Sequence, residues 1–308
     1  MMKSSTHMLA GRRPTRGVSL VELMVALALG LVISGVVFAN FLGSRQAQRT
    51  SIALGQMTEN ANLAFNLMRR YISLAGYSDV SGVNSQGLTR SYSGKAVFGC
   101  SQSFVSTTAR DITNLTCKSE AEDTPDAISV TYQATEANSL MKRREGGVKD
   151  EPADMLGRIL HAGTSPEYLA EARFTVSDQG DFQINSNGGT QTPPVGALAT
   201  PEALFGGVVD MRAWYGLSNT VDGKPDQIVR QYVEAQNIGA VADAKWNNVS
   251  AVRICLLLAS TEEIMESPTD YYDCDAQVAN APSPTTPTDR RLYRAYTTTI
   301  HIPNRLGG

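Results

Sequence analysis

Twenty consecutive residues without a charge, Leu23 to Leu42 (LMVALALGLVISGVVFANFL), constrain this chain more than anything else in it. As a helix rising about 1.5 Å per residue, the run is about 30 Å long, the thickness of a bilayer's hydrocarbon core. Three readings compete: a secretory signal peptide, an ordinary membrane anchor, or a leader followed by a long membrane helix. Val37-Phe38-Ala39 offers a signal peptidase small or modest side chains. The run is nevertheless longer than the usual apolar region of about 7 to 15 residues. Helix-compatible sequence also continues well past Asn40, with no proline between Val18 and Pro125. Glu22 stands immediately before the run. An ionised carboxylate at the edge of such a segment is costly and functional by default. Its bland reading is a headgroup-level residue favouring the positive end of the helix dipole.

Charge is unevenly placed. Residues 1 to 17 hold Lys3, Arg12, Arg13 and Arg16 and no acid, so removing them takes the net charge from -3 to -7. The basic part therefore adjoins the membrane on the side where cytoplasmic flanks carry Lys and Arg. The remainder of the chain is acidic. Beyond residue 20 the nearest basic cluster is Lys142-Arg143-Arg144, which is short and followed by Glu145, so nucleic acid is not an expected partner. Hydrophobic residues make up 42% and charged residues 19%, enough apolar content to bury a core.

Arg16-Gly17-Val18-Ser19-Leu20-Val21-Glu22-Leu23-Met24 resembles the type III signal of type IV prepilins and type II secretion pseudopilins. The resemblance implies that a membrane-embedded prepilin peptidase cuts between Gly17 and Val18 and methylates the new N-terminus at Val18. It also implies that Glu22, five residues after the glycine, is the family's hallmark acid. Val18 is a departure, since Phe or Met is commoner there. The chemistry suits these residues. Gly17 lets an extended strand lie close to a protease backbone. Cleavage would place an α-amine four residues before Glu22 on the same helix face, where amine and carboxylate can pair within or between subunits. A buried pair of that kind is most useful for register, the expected role of Glu22.

Leu54, Met57, Ala61, Phe65, Met68, Ile72 and Ala75 recur at spacings of 3 or 4, one apolar stripe of a helix. Gly76 is a natural end for it, with Arg69 and Arg70 near the negative pole. The expected organisation is a leader over 1–17, a helix over 18–76 and a β-rich domain over 77–308. Period-two patterns predict strands at Ala127–Gln133, Ala170–Val176, Asp181–Ile184, Val208–Tyr215, Gln227–Val233, Val249–Leu258 and Leu292–Ile302. Ser78–Ser93, Ser186–Thr192 and Ala281–Thr288 read as surface loops. The fold class is α+β: a long helix, apolar and then amphipathic, packed on a mainly antiparallel sheet domain.

Arg69-Arg70-Tyr71 with Ala75-Gly76-Tyr77, then Met211-Arg212-Ala213-Trp214-Tyr215-Gly216, then Trp246-Asn247-Asn248-Val249-Ser250-Ala251-Val252-Arg253-Ile254, resemble the PilW-type minor pilins. The resemblance implies a low-abundance subunit that primes pilus assembly and sits near the tip. Its implied partners are other minor pilins, the major pilin, the prepilin peptidase, the inner-membrane assembly platform, membrane lipid and a tip adhesin. Its implied location is the inner membrane with the domain in the periplasm, and then the filament. A minor pseudopilin of a type II secretion system shares the same physics. A periplasmic enzyme with a cleavable signal or an anchor is the rival from another class. Read as ordinary strands, the same segments make Trp214 and Trp246 core residues.

Cys100, Cys117, Cys255 and Cys274 form an even set in an exported chain, which suggests disulfides. Three connectivities are possible. Pairing Cys100 with Cys117 and Cys255 with Cys274 closes the shorter loops, at roughly 3 kcal/mol each in the chain-entropy model. Free thiols and zinc are the alternatives, although no Cys-x-x-Cys or nearby His completes a tetrahedral set.

The sequence carries no His-Glu-x-x-His, Gly-x-Ser-x-Gly or phosphate-loop motif, so neither an enzyme activity nor a cofactor is expected. Ser139-Leu140-Met141-Lys142 has Ser-x-x-Lys spacing without a following Lys-Thr-Gly, and reads as a solvated turn. His161 and His301 read as structural or surface residues. Asn219, Asp222 and Asp226 could offer oxygens to calcium around Gly223, but the acidic spacing of an EF-hand is missing and Asp222-Gly223 is first a hairpin signal. No metal site is expected.

Overall fold

The computed structural model describes residues 17–84, 87–109, 111–119, 124–162, 167–189, 198–221, 224–276 and 282–304. The segment 1–16 and the Asp222-Gly223 turn lie outside them. The chain divides into two compact units, one ending at Arg49 and one beginning at Thr50.

One helix, α1 (Leu20–Ile72), contributes to both. Nothing in its sequence interrupts it: there is no proline, and Leu, Ala and Met dominate its start. Glu22 lies in the first turn and Arg69 and Arg70 in the last, as the dipole favours. Within the first unit every residue from 17 to 45 is exposed. Arg45 lays its guanidinium 4.3 Å from the Phe41 ring centroid.

In the second unit α1 behaves as an amphipathic helix. Met57, Ala61, Phe65, Met68 and Ile72 are buried as the stripe predicts. Ala53, Ala64 and Tyr71 widen it, while Leu54 is only half-buried. The helix stops at Ile72 rather than Gly76. Gly76 takes the left-handed conformation a helix-ending glycine favours, with φ 71°. Its N–H donates to Thr131 O at 2.9 Å, and Tyr77 O accepts from Gln133 N–H at 2.9 Å. The chain thus leaves the helix by joining a strand edge.

The strands are β1 (Val80–Asn84), β2 (Gly87–Arg90), β3 (Val97–Cys100), β4 (Ala127–Ala134), β5 (Met141–Arg143), β6 (Asp150–Pro152), β7 (Tyr168–Val176), β8 (Phe182–Ser186), β9 (Glu202–Phe205), β10 (Val208–Val221), β11 (Lys224–Glu234), β12 (Val249–Ala259) and β13 (Tyr293–His301). A short helix, α2 (Ala235–Ile238), follows β11. All seven strands read from the sequence are present, β10 running six residues further than expected, to Val221. The expected loop at Ser78–Ser93 is instead largely the β1–β2 hairpin. Antiparallel pairing builds a five-stranded sheet in the order β3-β4-β7-β8-β9 and a four-stranded sheet in the order β11-β10-β12-β13. The fold is α+β, a long apolar helix followed by an antiparallel sheet domain.

One core joins the later half of α1 to the inner faces of both sheets. Trp246, fully buried, meets Phe98 and Tyr215 edge-on, with centroids 5.1 and 4.9 Å away. Tyr215 presses against the backbone of Gly99, so that a Cβ there would stand 1.7 Å from its hydroxyl. The side of α1 that meets β13 is polar: Thr58 Oγ1 lies 3.0 Å from the Tyr296 hydroxyl, and Arg69 donates to Thr298 Oγ1 at 3.0 Å. Asp126, just before β4, ties the sheets together. Its N–H donates to Met211 O, and its carboxylate accepts from Ala213 N–H, both at 2.8 Å. A second cluster of Trp214, Cys255, Leu257 and Cys274 lies apart from this core, with Tyr271 stacked on Tyr293 at 4.5 Å.

Candidate functional site

Gly17, Val18 and Ser19 precede the helix, and α1 begins at Leu20. The first helical bond beyond them joins Leu23 N–H to Ser19 O at 3.1 Å. Gly17 has nothing within 4 Å of where a side chain would start. Val18 is 68% exposed, and the large apolar residues from Leu20 to Leu42 are exposed with it. This is the one described helix long and apolar enough to cross a membrane. Glu22 lies in the first turn of this helix, four residues after Val18, which precedes the helix. The apolar wall that follows is of the kind that lipid or other helices cover.

The cysteines pair locally, Cys100 with Cys117 and Cys255 with Cys274, at Cα separations of 5.3 and 5.7 Å. No cysteine is left free. The first bridge fastens the chain after β3, and the second fastens the long segment after β12 to that strand.

The Ser-x-x-Lys pair is not brought together. Ser139 Oγ donates to Asn138 Oδ1 at 2.8 Å, and Lys142 Nζ donates to Gly157 O. His301 is exposed at the end of β13. His161 takes a hydrogen bond from Arg144 at 3.1 Å; burial and that guanidinium lower its pKa below the usual imidazole value. Asp226 is engaged by Arg230 at 2.8 Å and by Ile228 N–H at 3.0 Å, within one strand. The calcium reading's other acid, Asp222, is outside the described residues.

Sequence reasoning missed several buried ionisable groups, among them Glu171, Arg173 and Asp126. Glu171 and Arg173, two apart on β7, pair at 2.6 Å, and Ser129 donates to the same carboxylate at 2.7 Å. Burial raises the Glu171 pKa, and Arg173 and Ser129 oppose it. Asp126 is pushed up to about 8 by burial, against the lowering effect of Ala213 N–H and Arg212. Arg212 is shared: Nη1 lies 3.4 Å from Asp126 and Nε lies 2.9 Å from Asp210. Alternation of Glu171 and Arg173 was the available signal, but it reads as an outward, wet face. In the fold, Thr107 O accepts from Arg173 Nη1, so a loop covers that face.

Comparison with known proteins gives two family matches. Residues 12–38 match the prokaryotic N-terminal methylation motif, and residues 184–304 match PilW, the type IV pilus-assembly protein W. The second begins in β8 and takes in both strands of the four-stranded sheet's centre. No curated protein matches the chain. Among solved structures, a type IV-like pilin from Thermus thermophilus aligns at 14% identity over 81% of this chain and 97% of its own, with a TM-score of 0.40.

Proposed function

We propose that this type IV pilin-like chain, with its methylation motif and PilW-type segment, is a minor pilin of a type IV pilus that primes assembly and enters the tip complex. In this reading the prepilin peptidase cuts between Gly17 and Val18 and methylates Val18. The apolar half of α1 stores the subunit in the inner membrane, and the β domain faces the periplasm. During assembly the same helix moves from lipid to other pilin helices, and the amine on Val18 answers Glu22 or its counterpart in a neighbour. The domain then meets other minor pilins, and the role is assembly and interaction rather than catalysis.

The observation that carries the proposal is the exposed apolar run that opens with Glu22, four residues behind an accessible Gly17–Val18 bond. Intact-mass measurement of the membrane-purified protein tests it. A mature chain beginning at methylated Val18 is expected. A chain beginning at Asn40 would instead fit an exported protein with a conventional signal. Glu22→Ala in the same cells should retain cleavage but lose piliation and neighbour association; unchanged piliation would refute the register role. Deletion that abolishes protein secretion but leaves twitching intact would move the subunit to a type II secretion machine.

A further inference from the structure

The two disulfides border a groove that has no part in membrane storage or in cleavage. Its larger part is an apolar chamber of about 640 Å³, with Phe98, Leu115, Cys117 and Val241 among its walls. Beside it a smaller polar part, the mouth, of about 190 Å³ carries Asp126, Glu234 and Asp275 beside Arg212 and Trp214. Ser101, Gln102 and Gln236 line both, so the two are one continuous depression. Its size falls within the range of pockets that hold a small ligand or several side chains, about 300 to 1,000 Å³.

The walls are held. Cys100–Cys117 fixes one side of the chamber to β3, and Cys255–Cys274 fixes the neighbour of Asp275 to β12. Gln236 N–H donates to Ser101 Oγ at 3.1 Å, and Gln102 Oε1 accepts from Thr124 N–H at 2.6 Å.

The mouth is unbalanced in charge. Among the described residues Arg212 is the one cation lining it, and Arg212 is already paired with Asp210 at 2.9 Å, while buried Asp126 keeps its proton and adds no charge. Glu234 accepts from the neutral amide of Gln236 at 2.8 Å. Asp275 lies close enough to Asp210 to help raise its pKa, although burial of Asp210 is the larger cause. Lys118 is the chamber's one lining cation among the described residues. Carboxylates left in excess at the rim of an apolar cleft attract a cation and repel an anion.

We propose that this groove receives an extended segment of a neighbouring subunit in which a lysine or arginine stands beside apolar side chains. The apolar residues fill the chamber and the cation sits at the Glu234 and Asp275 carboxylates. The inference rests on the assembly role proposed for the chain, but its test reads the groove alone. Trp214 lines the mouth and is one of only two tryptophans in the chain, so its emission reports occupancy.

The full-length chain in phosphatidylcholine nanodiscs is titrated with acetyl-Gly-Arg-Leu-Phe-Leu-Gly-amide and with the same peptide carrying Glu for Arg. Empty nanodiscs correct for partition into lipid. The Arg peptide is expected to bind at least about tenfold tighter. The double variant Glu234→Gln/Asp275→Asn should weaken it about fivefold and bind the Glu peptide more tightly than the parent does, in line with partly exposed charges. Ala240→Phe, which fills the chamber, should weaken both peptides. Equal binding of the two, binding of neither, or indifference to all three substitutions overturns the proposal. Any of these leaves the pilin reading intact, because that reading is tested at the N-terminus.

Discussion

Asp126→Asn should make the protein more stable near neutral pH and remove much of its stability loss between pH 5 and 8. Asp126 is 2% exposed, and burial pushes its carboxyl up to about 8. In the unfolded chain it titrates near 3.9. Between those values the native state holds a proton that the unfolded state has released. Stability is therefore fully present below the unfolded value and falls as pH rises toward the folded one. At about 1.4 kcal/mol per unit, the three units from pH 4 to 7 set a ceiling of about 4 kcal/mol, and relaxation around the site lowers it. Asparagine keeps an acceptor for Ala213 N–H, 2.8 Å away in the native protein, without a proton to lose. Asp210 and Glu171 are raised in the same direction and add to the wild-type slope, so the difference between variant and parent is the quantity to read. Urea unfolding of the full-length chain in a nonionic detergent, followed by tryptophan emission at pH 5, 6.5 and 8, supplies it. If the variant's pH slope matches the parent's, the buried-carboxyl argument is wrong.

Four further outcomes are expected. Tyr215→Phe should be neutral or stabilising by about 1 kcal/mol in the same unfolding assay, because the buried Tyr215 hydroxyl finds no hydrogen-bond partner among the described residues. Gly99→Ala should destabilise strongly, since the new Cβ would stand 1.7 Å from that hydroxyl, and Tyr215→Phe should partly rescue it. Replacing Cys100 and Cys117 together with alanine should cost about 3 kcal/mol, for a bridge spanning 17 residues, and the loss should match that of the parent after selective reduction. Trp246→Ala should cost about 3 to 5 kcal/mol, because it removes the ring packed between Phe98 and Tyr215; a loss below about 1 kcal/mol would contradict its place in the core.

Strongly periodic segments were legible in the sequence, and short or covered ones were not. The stripe from Met57 to Ile72 is visible because a helix laid on sheets needs one apolar side, and β12 because a central strand buried on both faces reads as a nearly continuous apolar run. β3 has four residues, all buried, too few to show a period. β1 carries Ser, Gly and Asn among its five residues, a composition that reads as a turn, and β2 has four residues opening on Gly. β5 and β6 pair Arg143 with Asp150, a charge pattern that looks like a wet loop. Short loops favoured the local cysteine pairing that the fold contains, but three connectivities stayed open until the fold placed the pairs 5.3 and 5.7 Å apart. The N-terminal motif is local: Gly17, Val18 and Glu22 lie within six residues, so reading it needs no tertiary fold. Asp126 and Arg212 are 86 residues apart and meet only because β10 lies against the start of β4.

The exposed run also decides which environments the first unit can occupy. Its large apolar side chains, from Val18 to Leu42, are mostly half to three-quarters exposed. Covering that many side chains is worth on the order of 20 kcal/mol. A domain's whole net stability is about 5 to 15 kcal/mol. No adjustment within the β domain can offset such exposure in water, so lipid or the helices of other subunits must supply the cover. Lipid provides it without specifying depth or neighbour, because an apolar helix slides and rotates among equivalent contacts. Glu22 is the one polar group within α1 up to Leu31 apart from the backbone, and is therefore the residue able to distinguish one axial position from another. On the proposed reading, a carboxylate moved two positions along the helix shifts by about 3 Å and turns by about 200° to the opposite face, where it can no longer hydrogen-bond the amine of Val18. Moving the acid to Met24 in a Glu22→Ala background therefore separates charge from position. The variant should insert and be cleaved but fail to assemble, and normal piliation would show that a negative charge near the membrane surface suffices.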